Sequence, residues 1–242
     1  MKFLNLIFSF FLVSIIRSAV ADEFLPPVYI YLTIDDGPLG GMSEILEAVD
    51  SESVEVTLFL VGSHLYGKDQ RQSVERGEKN PLVLIGNHSF SHANNHYIRY
   101  YQDPQNVLKD FNKNQKILGI SSKIARLPGR NMWEVGSRSK YDIPSGKTSS
   151  QLLKENGYTV FGWDIEWSHH SKTRDSNESV TRLVQQIDGE VKKSFTPGHV
   201  VILAHDQMFR TAPDGAELRL LIRTLKNKGY IFRTLEHYPS QG

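Results

Sequence analysis

Six short runs of β-branched, aliphatic and aromatic residues, at 28–34, 54–61, 82–85, 158–163, 200–204 and 230–235, are separated by longer polar stretches with helical periodicity. This alternation predicts an α/β domain with a mostly parallel sheet. Most of the runs lack strict polar alternation, as strands covered on both faces do. The expected helices fall at 41–49, 106–119, 149–156, 177–193 and 215–228. The last carries Leu218, Leu221, Ile222 and Leu225 on one face, with Gly229 just past its end as a C-cap signal. Residues 134–148 and 168–178 are polar and rich in turn formers, so both read as surface loops.

The first residues stand outside this pattern. Lys2, an apolar segment at 3–16 and the small-residue run Ala19-Val20-Ala21 follow the order of a secretory signal peptide, predicting cleavage after Ala21 and a periplasmic or secreted protein. The apolar part is short for a membrane span, so no stable membrane anchor is expected after cleavage. Residues 22–242 then form one domain, large enough to bury a core. A net charge of +1 with intermixed signs leaves no basic stripe for nucleic acid. The absence of cysteine excludes disulfides, thiolate nucleophiles and thiolate metal sites, leaving His, Asp and Glu as the strong metal ligands. Oligomeric state is not readable from any of these features.

Chemistry concentrates at a few positions. In TIDDGP, residues 33–38, Asp35 and Asp36 would point to opposite faces of a strand. A turn at Gly37-Pro38 would bring both into one cavity. Taken alone, the motif is equally an Asx turn or a helix cap. In HSFSH, His88 and His92 would lie about 6 Å apart on one face of a helical turn, close enough to share a metal ion. Two His and one carboxylate are a recurrent donor set for hydrolytic divalent metals.

With these motifs in order, the sequence resembles the NodB-type polysaccharide deacetylases, carbohydrate esterase family 4. Four motifs carry the likeness: TIDDGP; His88-Ser89-Phe90-Ser91-His92; Arg126-Leu127-Pro128; and Leu203-Ala204-His205, extended by Asp206. Residues 57–62, TLFLVG, also resemble a strand of that family. The resemblance covers about residues 28–235. It implies a distorted (β/α) barrel with its site at the C-terminal ends of the strands. It further implies a divalent metal, zinc first and cobalt or nickel also acceptable, held by Asp36, His88 and His92. In that reading Asp35 is the general base, Arg126 its charge partner and His205 the general acid. The implied reaction removes N-acetyl groups from N-acetylglucosamine-containing glycans and releases acetate. The chemistry is consistent: such a metal lowers the pKa of water and polarises a carbonyl, and His suits proton donation to a departing amine near neutral pH.

Two motifs depart from the family pattern. The fourth appears as Trp163-Asp164-Ile165-Glu166-Trp167, so either Asp164 or Glu166 is expected to orient His205, with Asp164 preferred. In the third, Gly129-Arg130 follows the proline, so Arg130 and Trp133 are expected on the groove wall, Trp133 as a sugar-stacking platform. Trp167 and Leu203 complete the expected substrate contacts, and Trp163 is divided between pocket and core. His96, four residues beyond His92, is a weak third ligand by spacing. His64, His169, His170, His199 and His237 read as solvated or loop residues, with His169 and His170 placed near a groove because they follow the fourth motif. Three other functions share the motifs: an O-acetyl esterase acting on xylan-type polymers, a glycan-binding module without turnover, and a small-amide hydrolase.

Overall fold

The computed structural model describes residues 26–240; the expected signal peptide lies outside them. The elements run β1 (Tyr29–Gly37), α1 (Met42–Glu52), β2 (Val56–Leu60), α2 (Lys68–Lys79), β3 (Val83–Asn87), α3 (Tyr97–Tyr100), α4 (Pro104–Ile117), β4 (Ile124–Ala125), β5 (Met132–Val135) and β6 (Arg138–Tyr141). There follow α5 (Lys147–Glu155), β7 (Thr159–Val160), β8 (Ile165–Glu166), α6 (Val180–Glu190), β9 (His199–His205), α7 (Ala212–Asn227) and β10 (Ile231–Phe232). The strands form one curled sheet, in the order β6-β5-β7-β4-β3-β2-β1-β9-β8, with β10 alongside β1. Pairings are parallel except those of β5 with β6 and β7. This is the α/β, distorted half-barrel architecture expected from the motifs.

The period-2 alternation of β1 decides what faces the inside of the curl. Ile30, Leu32 and Ile34 pack outward against Ile45, Leu46 and Val49 of α1 and Leu218, Leu221 and Ile222 of α7. Each such fully buried Leu or Ile contributes on the order of 1.5–3 kcal/mol. Tyr31 points the other way, into an inner cluster with Phe59, Trp133, Phe161 and Val201. Continuing that inward series, Thr33 and Asp35 are buried at the strand's C-terminal end. Strand β9 repeats the pattern, with Val200, Ile202 and Ala204 outward and Val201 inward. Its register sets Asp35 beside His205.

Three local expectations change. The polar stretch 134–148 contains most of the β5–β6 hairpin, whose second strand, Arg-Ser-Lys-Tyr, is polar because it lies at the sheet edge with its middle exposed. Helix α2 was not expected, because only Val74 and Gly77 of its twelve residues are buried and its sequence shows no apolar stripe. Strand β1 also extends through both acids to Gly37 instead of ending before them.

Candidate active site

That extension explains how neighbouring acids share one cavity. The register of β1 against β2 shifts between Ile34 and Gly37, and Asp36 has φ +71°, in the left-handed region. A bulge of this kind re-aims one side chain relative to the alternation. The device is therefore at Asp36 itself, one residue earlier than the Gly37-Pro38 turn expected from sequence. Asp35 and Asp36 both line a cavity of about 720 Å³, together with His88, His92 and His205.

His88 directly follows β3 and His92 opens a short 3₁₀ turn, so the pair is not on a regular helix as its spacing suggested. Ser89 and His92 have φ +67° and +48°, and this tight reversal still leaves the two rings 5.1 Å apart. The imidazole Nε2 atoms lie 3.0 Å (His92) and 3.6 Å (His88) from Asp36 Oδ1. That oxygen is sealed from solvent and has no well-aligned hydrogen bond. His88 Nδ1 lies 2.9 Å from the Arg126 carbonyl, an acceptor only, so Nδ1 carries the proton and the Nε2 lone pair faces the acids. Burial pushes His88 down to about 4 against the opposing pull of Asp35 and Asp36, keeping it neutral. Burial alone would raise Asp36, but His92, His88 and His205 together hold it well below the usual carboxylate range. Asp36, His88 and His92 are the one convergent His/Asp/Glu donor set among the described residues, their ligand atoms all within 4.8 Å of one another. A sealed carboxylate oxygen set between two imidazole Nε2 atoms, one of them presenting a lone pair, fits a divalent cation.

Asp35 is held differently. It is 3% exposed, and Arg126, wholly buried just beyond β4, donates from Nη1 to its Oδ1 at 2.9 Å. The same guanidinium donates to Thr33 Oγ1, the Phe161 carbonyl and the Gly162 carbonyl, which fixes its direction. Asp35 Oδ2 stays 3.5 Å from His88 Nε2, next to the donor set. His205 ends β9 across the cavity, its Nδ1 buried and unpartnered. Asp206 turns away from the cavity centre and accepts the N–H groups of Gly41 (2.7 Å) and Leu39 (3.2 Å), bracing the loop after the two acids. A Cβ at Gly41 would collide with the Asp206 carbonyl oxygen, so this close approach requires glycine.

Several expected residues lie elsewhere. Asp164 does not reach His205: its oxygens accept the N–H groups of Phe195 (2.6 Å) and Val201 (2.8 Å), tying β9 to the chain before β8. Trp133 is fully buried and stacked on Phe195 at 4.4 Å, because inward positions of β5 join the inner core instead of the groove. Trp167 is equally buried, edge-on to Phe209 on the outer side of the sheet. Arg130 lies over the Tyr101 ring and bonds Ser145 and the Gly129 carbonyl, outside the cavity lining. His96 is exposed and outside the donor set. Leu203 and Trp163 do line the cavity.

His169, expected near a groove, shares the lining, and so do His64, Tyr97, Arg174 and Gln207, which nothing in the sequence marked as site residues. His64 Nδ1 bonds the Asp36 carbonyl at 2.7 Å, and Gln207 Nε2 donates to Asp36 Oδ2 at 3.2 Å. The available signal was position: His64 follows β2 and Gln207 follows β9, at the strand ends where α/β sites assemble.

The polysaccharide deacetylase family model matches residues 25–161. YheN of Bacillus subtilis is 32% identical over 214 residues, covering 86% of this chain and 67% of its own. A peptidoglycan-N-acetylglucosamine deacetylase of Bacillus cereus is 26% identical over 223 residues, covering 86% and 71%. Among solved structures, a Streptococcus mutans family 4 carbohydrate esterase superposes with a TM-score of 0.66 at 22% identity, over 86% of this chain and 85% of that one, a likeness of fold. With its motifs in family order on the family's fold, this chain belongs to the polysaccharide deacetylases, the NodB-type carbohydrate esterases of family 4, and is a carbohydrate deacetylase.

Proposed function

We propose that the protein is a metal-dependent hydrolase that removes N-acetyl groups from N-acetylglucosamine-containing glycans. The observation carrying this reading is the register pairing of Asp35 with His205, which sets a held carboxylate and an unencumbered imidazole around one donor set. Asp36, His88 and His92 would hold a divalent ion, zinc by donor chemistry with cobalt or nickel also accepted. When bound, the ion supplies Lewis acidity toward the acetyl carbonyl and lowers the pKa of water nearby.

The protein's own groups then divide the proton work. Asp35, fixed by Arg126, takes a proton from water as the new C–O bond forms. His205 gives a proton to the amide nitrogen as the C–N bond breaks, so acetate and a free amine leave. Gln207, through the Asp36 side chain, and His64, through its backbone carbonyl, hold Asp36 in its bulged conformation. Leu203 and Trp163 offer apolar surface for the acetyl group and sugar. Export to the periplasm or beyond the cell belongs to the same reading, since peptidoglycan and chitin disaccharide are the substrates named for two relatives.

The test is acetate release by zinc- or cobalt-loaded protein from chitooligosaccharides, peptidoglycan fragments and acetylated xylan. Acetate with matching free amines from the first two supports the reading. Acetate from xylan alone makes the protein an O-acetyl esterase, and no acetate from any of them removes the proposal.

A further inference from the structure

Residues 168–178 leave β8, fold into a tight reversal at the cavity and return to α6. His169 bridges Ser176, the His170 N–H donates to the Asp175 carbonyl at 2.9 Å, and the Arg174 N–H donates to the His170 carbonyl at 2.9 Å. Arg210 braces the outside of the loop through the Thr173 carbonyl at 2.7 Å. Arg174 itself has φ +71°, a conformation unfavourable for any side chain larger than glycine. The loop accepts that strain with a half-buried guanidinium lining the active cavity.

The charge of Arg174 is unmatched there. A guanidinium has five N–H donors and no acceptor, and its one side-chain hydrogen bond among the described residues runs from Nη1 to His169 Nε2 at 3.4 Å. Of the cavity's acids, Asp35 pairs with Arg126, Asp36 faces His88 and His92, and Glu166, exposed on the same lining, makes no ion pair with Arg174 among the described residues. Position says which part of a substrate Arg174 meets. The His169 ring lies 4.9 Å from the His205 ring, and His205 faces the departing amine in the proposed reaction. Arg174 therefore stands one imidazole beyond the proposed acid, on the lining of the same cavity.

We infer that Arg174 selects acetylated glycans bearing a carboxylate beside the scissile amide, on the same sugar or the one linked to it. This rests on the N-deacetylase reading above. A planar guanidinium fork matches a carboxylate, and a charge-assisted hydrogen bond in a partly enclosed cavity discriminates against a neutral isostere.

The test compares kcat/KM for acetate release from peptide-free peptidoglycan strands, the same strands with methyl-esterified carboxylates, and chitooligosaccharides of matched length. A polymer alternating N-acetylglucosamine with a uronate distinguishes the lactyl from the uronate carboxylate. The wild type is expected to favour free carboxylate over ester by roughly tenfold or more. Raising ionic strength should shrink that ratio. R174Q, which keeps a donor for His169, should bring the ratio close to one, and R174K should keep part of it. Equal wild-type rates on acid and ester, or an undiminished ratio in R174Q, overturn the inference. Acetate from none of these substrates would instead refute the deacetylase reading beneath it.

Discussion

Replacing Arg126 by methionine tests how the base is held. The guanidinium is fully buried, and its removal leaves the Asp35 carboxylate, 3% exposed, without its compensating charge. It also strands the carbonyls of Phe161 and Gly162, which accept from Nε and Nη2 at 3.2 Å and 2.7 Å. Methionine fills much of the volume, so the loss is electrostatic more than steric. Breaking a buried pair from one side costs roughly 3–5 kcal/mol. For a domain of this size, about 2–4 °C per kcal/mol converts that into a fall in Tm of roughly 6–20 °C. Urea denaturation followed by circular dichroism measures the free energy, and calorimetry measures Tm. The double variant with Asp35→Asn should recover part of the loss, because no buried carboxylate is then left unpaired, giving a coupling on the order of 1–3 kcal/mol. A loss under about 1 kcal/mol in R126M, or strict additivity with D35N, would refute the picture of Asp35 as an anion fixed by Arg126.

Three further outcomes follow from the same geometry. Trp133→Ala should cost roughly 3–5 kcal/mol in denaturation, because the ring is inner core stacked on Phe195; a shift in KM with unchanged stability would restore it as a sugar platform. Asp164→Asn should lose about 1–3 kcal/mol by disturbing two backbone hydrogen bonds, while folded protein keeps its turnover; turnover lost from stably folded protein would return Asp164 to the service of His205. His199, stacked on Tyr29 with Nδ1 at the Tyr31 hydroxyl, is held below the usual histidine range by burial and by Arg138. The unfolded chain then binds more protons there as pH falls through about 6.5, so this residue's contribution to stability is present at higher pH and declines below that value. Denaturation from pH 5 to 8 should show a shallower slope in H199F, and an unchanged slope would assign the pH dependence elsewhere.

The site's motifs were more legible in the sequence than its walls. TIDDGP, HSFSH, Arg126 and His205 declared themselves because the chemistry fixes residue types at strand ends, and the sheet register then brings them together. The two-residue period of β1 and β9 even decides that Asp35 and His205 face the same way. What sequence did not carry was the local backbone: the bulge at Asp36 and the left-handed turn at His92 replaced a simple turn and a regular helix. Aromatic residues misled for a related reason. Trp133 and Trp167 were expected at the sugar, and only the curl of the sheet buries one on the inner face and the other on the outer. The loop holding His169 and Arg174 was legible, and its place after the fourth motif put His169 near a groove, but nothing in its composition says that Arg174 reaches the cavity.

The division of labour between the adjacent acids is tested most directly by zinc titration of the Asp35→Asn and Asp36→Asn proteins in a calorimeter, with acetate release measured on the same samples. Asp35→Asn should bind zinc close to wild-type affinity and lose turnover by roughly 10²–10⁴-fold, the range for a general base. Asp36→Asn should lose zinc affinity itself, since its carboxylate stands between His88 and His92. The reverse result, zinc affinity lost in Asp35→Asn and retained in Asp36→Asn, would contradict the assignment.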